Sequence, residues 1–462
     1  MEKIIENILI TDVADEGRGL GRYEGKVVFV SHAVPGDVVN VNVKRKKNKF
    51  IEGTIESVVS FSGDRVQPPC THFGVCGGCK WQNMSYEKQL FFKQKQVTDA
   101  LTRIGMLTEP EILPIKKSSG IYHYRNRLDF AFATREWMTQ DQMHDETFKA
   151  LPALGFHVPG KFDKILNIQN CFLQDDLSDK IRNFVRDYSI ENDMSFFEHR
   201  EQVGFLRSLI IRNTTTGEWM VIVMIKDDNE QKRKQLLEAI TNQFPGITSL
   251  LYIINTKRND TFFDLDFQVY KGQDFITEEM EGLQFRIGPK SFYQTNPLQA
   301  YELYKITREF AEFKGPEIVY DLYTGTGTIA NFIARQVKKV IGMESVEEAV
   351  KHAKFNSDLN GIVNTSFYAG DMKDLLTEDF FNIHGFPDTI ITDPPRAGMH
   401  ADVVKAINNS GASRVVYVSC NAATQARDIA LMRDHYRFIK AMPVDMFPHT
   451  QHVENVALLV KI

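Results

Sequence analysis

The sequence has 462 residues and a mass of 53.0 kDa, which predicts two or three domains rather than one. Hydrophobic residues make up 43% of the chain and charged residues 25%, and this ordinary balance excludes a disordered or collagen-like protein. The net charge of −5 argues against a protein that coats nucleic acid through bulk charge, but it does not exclude a local basic groove.

The first residues, MEKIIENILI, lack the basic segment and apolar core of a signal peptide. No stretch approaches the roughly 18 apolar residues that cross a bilayer. We therefore expect a cytoplasmic protein with no membrane contact, in which thiols stay reduced. The odd number of cysteines argues against a disulfide scaffold and favours metal binding or catalysis.

Residues 1–60 are predicted to form a small β-barrel of the OB-like kind. Three short runs are rich in β-branched residues, Val27–Val30, Val38–Val43 and Ile51–Val59, and glycines separate them. A five-stranded barrel suits so short a segment, and such barrels often bind nucleic acid. Between residues 18 and 49 there are eight basic and two acidic residues, a local charge of +6 that favours a phosphate-facing surface over a merely solvated hairpin tip.

Residues 61–275 are predicted to form a central α/β domain that binds RNA. A cysteine-containing loop comes first, and a helix near residues 86–104 follows, which we place against the C-terminal domain. Ser208–Arg212 and Trp219–Ile225 are typical of a hairpin around Thr216-Gly217. The helical period predicts five buried positions in the first helix: Leu90, Phe91, Val97, Leu101 and Ile104.

Residues 276–462 are predicted to form a Rossmann-like, doubly wound parallel sheet. Helical stretches separate most of five apolar strand runs, and this alternation is typical of that fold. The five runs are Ile318–Leu322, Val340–Met343, Thr389–Thr392, Arg414–Val418 and Val456–Val460.

A glycine loop after the first of these strands indicates a cofactor site. Asp321 lies on the strand, and Gly325 and Gly327 follow it, an arrangement that S-adenosylmethionine enzymes use. The loop lacks the third glycine of a dinucleotide site. Glu344 ends the next strand and can accept hydrogen bonds from ribose hydroxyls. Asp371 follows a third strand, where the adenine edge would lie, although a helix N-cap is an equal alternative.

Three more residues follow or precede strands at the same edge of the sheet. Asp393 begins the motif Asp-Pro-Pro-Arg, whose prolines stiffen the loop and direct the carboxylate into the cleft above the strand ends. The weaker interpretation of Asp393 is an incidental acidic residue on a surface loop. Cys420 follows a strand and comes just before a helix predicted to begin near Ala423, whose amides would favour a thiolate. A buried, unreactive cysteine is the alternative. Glu454 precedes the last strand.

Several motifs together resemble the RNA (uracil-5-)-methyltransferase family, and most closely its 23S ribosomal RNA branch, which has an N-terminal TRAM barrel and an iron–sulfur cluster. The resemblance spans essentially the whole chain. It is carried by Cys70-x5-Cys76-x2-Cys79 with Cys171, Phe292-Tyr-Gln294-Thr-Asn296, Asp393-Pro-Pro-Arg396, Ser419-Cys420-Asn421 and His452-Val-Glu454.

The resemblance implies that Cys420 is the nucleophile that adds to uracil C6, that Glu454 is the base, and that Asp393 orients the uracil. Ala422 stands where the family often has proline, and Thr328 and Asp371 stand where asparagine is common. The implied S-adenosylmethionine-binding residues are Gln294, Tyr323, Gly325, Gly327, Thr328, Glu344, Asp371 and Asp393.

The resemblance also implies a [4Fe-4S] cluster held by Cys70, Cys76, Cys79 and Cys171. Three close cysteines with a distant fourth suit such a cluster better than zinc, which usually takes two close pairs. A zinc site of three cysteines and His72 stays open as the alternative.

The implied partner is 23S ribosomal RNA, bound by a monomer. The target base must leave its stack, which requires aromatic and basic groups near the site. Alternatives are the same chemistry on a transfer RNA loop uridine, cytosine-5 methylation, and a non-catalytic RNA-binding protein. The residues that could receive the RNA are Lys116, Lys117, Tyr122, Tyr124, Arg125 and Arg127.

Overall fold

The computed structural model describes residues 4–462, and residues 4–60 form a closed five-stranded barrel. The strands pair in the order β1-β2-β3-β5-β4, around a core of buried isoleucine and valine side chains. The predicted small barrel is confirmed. Its strands are β1 (Ile4–Val13), β2 (Gly19–Tyr23), β3 (Lys26–Ser31), β4 (Val38–Lys46) and β5 (Phe50–Ser60), with one 3-10 turn at Asp15–Gly17.

The long helix α1 (Tyr86–Arg103) connects the barrel to the rest of the molecule. Val97 and Leu101 are buried among residues of the C-terminal sheet, as expected. Phe91 and Ile104 were wrongly predicted to be buried, since they are 55% and 44% exposed. The helix instead buries Phe92, which packs with Trp81 and Val34. The segments that pack against the helix on both sides determine which of its side chains are buried.

The central region is a seven-stranded sheet of order β12-β11-β10-β9-β6-β7-β8. The predicted hairpin is confirmed by antiparallel β9 and β10, while β10 and β11 are parallel. The strands are β6 (Arg127–Ala133), β7 (Ala153–His157), β8 (Ile165–Asn167), β9 (Leu206–Asn213), β10 (Trp219–Ile225), β11 (Ser249–Ile254) and β12 (Gln268–Gly272). The helices are α2 (Gln140–His144), α3 (Asp176–Glu191) and α4 (Glu230–Gln243).

The C-terminal region begins with a hairpin of β13 (Ile276–Met280) and β14 (Leu283–Ile287) and then forms a second seven-stranded sheet. Its strands are β15 (Ile318–Leu322), β16 (Lys339–Glu344), β17 (Thr365–Ala369), β18 (Thr389–Thr392), β19 (Arg414–Ser419), β20 (Tyr436–Val444) and β21 (Glu454–Lys461). Its helices are α5 (Pro297–Ala311), α6 (Thr328–Ala334), α7 (Glu347–Leu359), α8 (Met372–Leu375), α9 (Glu378–His384), α10 (Ala401–Asn409) and α11 (Ala422–Met432).

The order of this sheet, β17-β16-β15-β18-β19-β21-β20, confirms a Rossmann-like fold. Five strands are parallel, but β21 is antiparallel to β19, and β20, which the sequence did not reveal, is antiparallel to β21. A hairpin therefore completes the expected parallel sheet. The strand order reverses beside β15, and ligands bind outside the carboxyl ends of strands at such a point. Within residues 4–462, no helix is both long and apolar enough to cross a membrane.

Candidate active site

The glycine loop between β15 and α6 is shaped by Asp321. The carboxylate of this buried residue accepts hydrogen bonds from the Thr324 hydroxyl and from the backbone N–H of Ala330 (3.1 Å). Gly325 and Gly327 both have positive φ angles, 56° and 75°. A Cβ atom on Gly327 would lie 2.8 Å from that of Ala353, whereas one on Gly325 would meet nothing within 4 Å. Gly327 thus allows close packing, and Gly325 leaves the backbone open to a ligand.

Tyr323 and Glu344 flank this loop. Tyr323 has a positive φ of 62°, a strained conformation for a tyrosine that is typical of functional sites. The Glu344 carboxylate accepts hydrogen bonds from the backbone N–H groups of Gly325 (3.1 Å) and Val346 (3.0 Å). The Ser345 hydroxyl also donates to this carboxylate (3.0 Å). A carboxylate offers about four acceptor positions, so about one stays available for a ribose hydroxyl.

The loop opens into a cavity of about 930 Å³ at the carboxyl ends of the strands. The cavity is large enough for a cofactor and a flipped base together, since drug-sized sites occupy about 300–1,000 Å³. The predicted site residues that line it are Gln294, Tyr323, Gly325, Glu344, Asp393, Cys420 and Glu454. The structure therefore brings together residues that are up to 160 positions apart in the chain.

Three of the predicted cofactor residues, Gly327, Thr328 and Asp371, are not among the residues that line the cavity. Asp371 is exposed and caps α8, where its side chain accepts a hydrogen bond from the backbone N–H of Lys373 (3.1 Å). Thr328 is buried in the first turn of α6, with its hydroxyl 3.4 Å from that of Thr326. Gly327 acts through packing, as described above. For Asp371 and Thr328 the role in cofactor binding stays a prediction.

Asp393 and Glu454 form the acidic side of the cavity. Asp393 follows β18 directly, and Glu454 is the first residue of β21 and only 5% exposed. Burial raises the pKa of Asp393 to about 7, and the neighbouring Asp321 adds to this shift. Burial and the proximity of Asp393 raise the pKa of Glu454 to about 8, although Arg396 opposes the shift. Two carboxyl groups are thus tuned to exchange protons near neutral pH.

Cys420 lies between β19 and α11 and lines the same cavity. We expected the start of the helix to favour its thiolate, and this was wrong for the free protein. Burial, together with the nearby Glu454 and Asp393, raises the pKa of Cys420 to about 11, and Arg396 only partly compensates. Asn421 caps α11 by accepting hydrogen bonds from the N–H groups of Ala423 and Thr424, so these two amides of the helix start are already used.

The walls of the cavity include residues to which the sequence assigned no role. Arg396 is the last residue of the Asp-Pro-Pro-Arg motif, and its charge favours the ionised forms of Cys420 and Glu454. The remaining side chains are mostly aromatic or apolar, which suits a base that has left its stack. They include Phe263, Phe292, Pro394, Pro395, Phe447 and His452.

Comparisons with known proteins agree with this geometry. The family profile described as "tRNA (Uracil-5-)-methyltransferase" matches residues 85–462, and the TRAM domain profile matches residues 5–55. The chain belongs to the tRNA (uracil-5-)-methyltransferase family. It is 56% identical over 451 residues to a protein named "Uncharacterized RNA methyltransferase" from Bacteroides thetaiotaomicron. This match covers 97% of this chain and 99% of the relative.

Other members of the family are similar over their full length. A protein with the same name from Porphyromonas gingivalis is 54% identical over 460 residues, covering 98% of this chain and 99% of the relative. Among solved structures, the Pyrococcus abyssi tRNA (uracil-54, C5)-methyltransferase in complex with S-adenosyl-L-homocysteine has 29% identity and a TM-score of 0.76. The match covers 99% of this chain and 100% of that chain, so it includes the barrel.

A second cavity of this uracil-5-methyltransferase fold, about 390 Å³ in volume, is lined by all four cysteines that we assigned to a cluster. Burial raises the pKa of each thiol, to about 12 for Cys79 and Cys171, so a bound cation would be needed to hold them as thiolates. His72 lines the same cavity, but its Nε2 accepts a hydrogen bond from the backbone of Gln169 (3.1 Å). Within residues 4–462, no group of three His, Cys, Asp or Glu side chains has an arrangement that could hold a metal ion.

The segment expected to receive RNA lies between the two cavities. Arg125 lines both of them, and the Tyr122 ring stacks on His449 with the centroids 4.5 Å apart. Tyr124 is buried and donates a hydrogen bond to the carbonyl of Pro448 (3.0 Å), so its role is structural. Lys116 and Arg127 form ion pairs with Glu302 and Asp129. Arg125 is thus the member of this segment best placed to contact RNA.

Proposed function

We propose that the protein transfers a methyl group from S-adenosylmethionine to C5 of a uracil in 23S ribosomal RNA, through covalent addition of Cys420 to C6. One observation carries this proposal. Cys420, Asp393 and Glu454, from the ends of three strands of the sheet, line the same cavity as the glycine loop. A nucleophile, a buried acid–base pair and a cofactor loop therefore lie within reach of one base.

The cofactor loop fits S-adenosylmethionine. The space beside Gly325 is free, Glu344 retains acceptor capacity for a ribose hydroxyl, and Gln294 and Tyr323 line the adjacent wall. When bound, the cofactor supplies an electrophilic methyl group on a positively charged sulfur atom. A positive charge in this cavity lowers the pKa of Cys420, Asp393 and Glu454, because it favours each ionised form.

The reaction then depends on the residues of the chain. The Cys420 thiol first loses its proton to solvent, which the positive charge of the bound cofactor would favour. The thiolate sulfur then forms a bond to uracil C6, and the electron pair of the C5–C6 double bond moves into an enolate, which makes C5 nucleophilic. After C5 has gained the methyl group, the Glu454 carboxylate removes the C5 proton. The electron pair of that C–H bond restores the double bond and the Cys420 sulfur leaves. Asp393 orients the uracil, and the aromatic walls exclude water.

Iron–sulfur binding by Cys70, Cys76, Cys79 and Cys171 is part of the proposal. The four thiols line one cavity and no two of them form a disulfide. A [4Fe-4S] cluster spreads its four cysteine ligands over four iron atoms, so their sulfur atoms need not converge as closely as those around one ion. The cysteines lie apart from the catalytic cavity, so the cluster would support the structure and take no part in methyl transfer.

Ribosomal RNA is proposed as the substrate because the motifs resemble that branch of the family. Transfer RNA is the second candidate, because the Pyrococcus abyssi enzyme that acts on it matches 99% of this chain, including the barrel. The barrel alone therefore does not separate the two substrates. Its β4–β5 hairpin exposes Lys44, Lys46, Lys47 and Lys49, which suits the phosphates of either RNA.

The experiment is to map 5-methyluridine in 23S ribosomal RNA and in transfer RNA from a strain that lacks the gene. We expect one or more 5-methyluridines to disappear from the ribosomal RNA and to return when the native gene, but not the Cys420→Ala variant, is restored. Loss confined to transfer RNA would establish the second candidate instead. An unchanged pattern in both RNAs would contradict both.

A further inference from the structure

The loop of residues 445–453 connects β20 to β21 and leads directly into Glu454. It also places Phe447 and His452 in the wall of the catalytic cavity. Four successive carbonyl groups of this loop, from Met446 to His449, accept hydrogen bonds from other parts of the chain. The donors are Asn296 Nδ2 (2.9 Å), Lys93 Nζ (3.0 Å), Tyr124 Oη (3.0 Å), and the backbone N–H groups of Lys80 (2.8 Å) and Trp81 (3.0 Å).

Lys93 is the charged donor among these contacts. It lies on α1, more than 350 positions before the loop, and its side chain is completely buried. The ammonium group donates to the Asp445 carboxylate, which is also completely buried, as well as to the Phe447 carbonyl. Asp445 accepts a second hydrogen bond from the hydroxyl of Tyr86 (2.8 Å). One cation therefore fixes both ends of the turn that leads to Phe447.

A buried ion pair of this kind is a poor source of stability. The cost of removing two charges from water is often as large as their attraction, and a well-packed apolar pair can serve as well or better. Directional contacts with a carboxylate and a carbonyl, in contrast, restrict the geometry of the loop. The pair between Lys93 and Asp445 therefore suits a role in specifying where the loop lies.

We propose that Lys93 is a positioning residue for methyl transfer: its ammonium group, held by Asp445, fixes the loop that places the Phe447 ring and the Glu454 carboxyl at the cavity. This inference rests on the proposed function, since it requires that Glu454 removes the C5 proton. It assigns helix α1, which lies outside the Rossmann-like sheet, an influence on the last step of the reaction that acts through this loop.

The test uses the full chain with Lys93→Met combined with Asp445→Leu, which replaces the ion pair by apolar side chains of similar size. We expect this variant to fold, to melt close to the native protein, and to bind S-adenosylhomocysteine normally. We expect its turnover to fall by about 10- to 100-fold, because small misplacements of reacting groups have effects of this size. The covalent protein–RNA adduct should accumulate on a denaturing gel, which a purely structural defect would not cause.

A second pair of substitutions separates geometry from charge. Lys93→Gln with Asp445→Asn keeps an N–H donor for the Phe447 carbonyl without either charge, and we expect turnover between those of the native protein and the apolar variant. If the apolar variant does not fold, this neutral variant is measured alone, and adduct accumulation supports the proposal. The matched control is Lys95→Met on the same helix, because its partners Asp12 and Asp99 are partly exposed and neither lines the catalytic cavity.

Native turnover in either folded double variant, with no accumulation of adduct, would overturn the role of Lys93. This result is distinguishable from failure of the proposed function. If the native protein itself forms neither 5-methyluridine nor an adduct that depends on Cys420, then the proposed reaction is wrong, whatever Lys93 does.

Discussion

Replacement of Glu454 by glutamine tests the assignment of the base. The substitution preserves the size of the side chain but removes its ability to accept a proton. Cys420 should still add to C6 and C5 should still be methylated, because neither step requires this carboxylate. The C5 proton then stays in place, so the covalent protein–RNA adduct cannot resolve. A positioned general base contributes about 10²- to 10⁴-fold, and the rate of resolution should fall by that factor.

The raised pKa of Glu454 adds a quantitative expectation for the native protein. With a pKa of about 8, Glu454 in the free protein is about one-tenth ionised at pH 7 and about nine-tenths ionised at pH 9. Resolution of the adduct by the native protein should therefore become faster between these pH values, by up to about tenfold, and should level off above pH 9. Binding of the positively charged cofactor shifts the rise towards lower pH.

The assay follows labelled RNA on a denaturing gel after rapid quenching. Adduct should accumulate with Glu454→Gln and reach nearly one equivalent per active site, whereas it should be transient with the native protein. Cys420→Ala is the control and should give no adduct. Resolution by Glu454→Gln at the native rate, or a native rate that does not change from pH 6 to 9, would refute the role of Glu454.

Three further predictions concern stability and the cysteine cavity. Gly327→Ala should destabilise the fold by about 2 kcal/mol or more in denaturant unfolding, because its new Cβ atom would clash with Ala353. Gly325→Ala introduces no such clash, so it should destabilise the fold by only about 1 kcal/mol and mainly weaken cofactor binding. Cys79→Ser should lower the iron content of anaerobically purified protein, while Cys420→Ser should leave it unchanged. The ligand-free protein should become less stable as the pH rises from 6.5 to 8.5. The reason is that folded Asp393 and Glu454, with raised pKa values of about 7 and about 8, retain protons that the unfolded chain has already released. In thermal unfolding, Glu454→Gln should remove about 1–2 kcal/mol of this loss of stability, and a variant with the native pH dependence would contradict the prediction.

Features that depend on local pattern could be predicted from the sequence. The barrel strands β3, β4 and β5, the β9–β10 hairpin and the strands β15, β16, β18, β19 and β21 follow from short apolar runs bounded by turn residues, whereas β1 and β2 were not predicted. The placement of the proposed catalytic residues also follows from local pattern, because the carboxyl ends of neighbouring strands meet at one edge of a sheet, whereas their roles come from the family resemblance. Cys420, Asp393 and Glu454 therefore line a single cavity.

Features that depend on distant contacts could not be predicted in this way. Lys93 and Phe92 are buried because of the segments that pack against α1, and the sequence of the helix alone favoured Phe91 instead. The raised pKa of Cys420 depends on its burial and on carboxyl groups brought close by the fold, which outweigh the helix start that the sequence shows. Asp371 had two interpretations from the start, and the observed N-cap contact fits the structural one.

Release of tritium from RNA that contains 5-tritiated uridine is the most direct measurement of the central claim. The purified protein with S-adenosylmethionine should release tritium and form 5-methyluridine in equal amounts, because each methyl group replaces one C5 hydrogen. Cys420→Ala should release none, although it still folds and binds RNA. Methylation without release of tritium, or full release by Cys420→Ala, would contradict covalent methylation of uracil C5 through this cysteine.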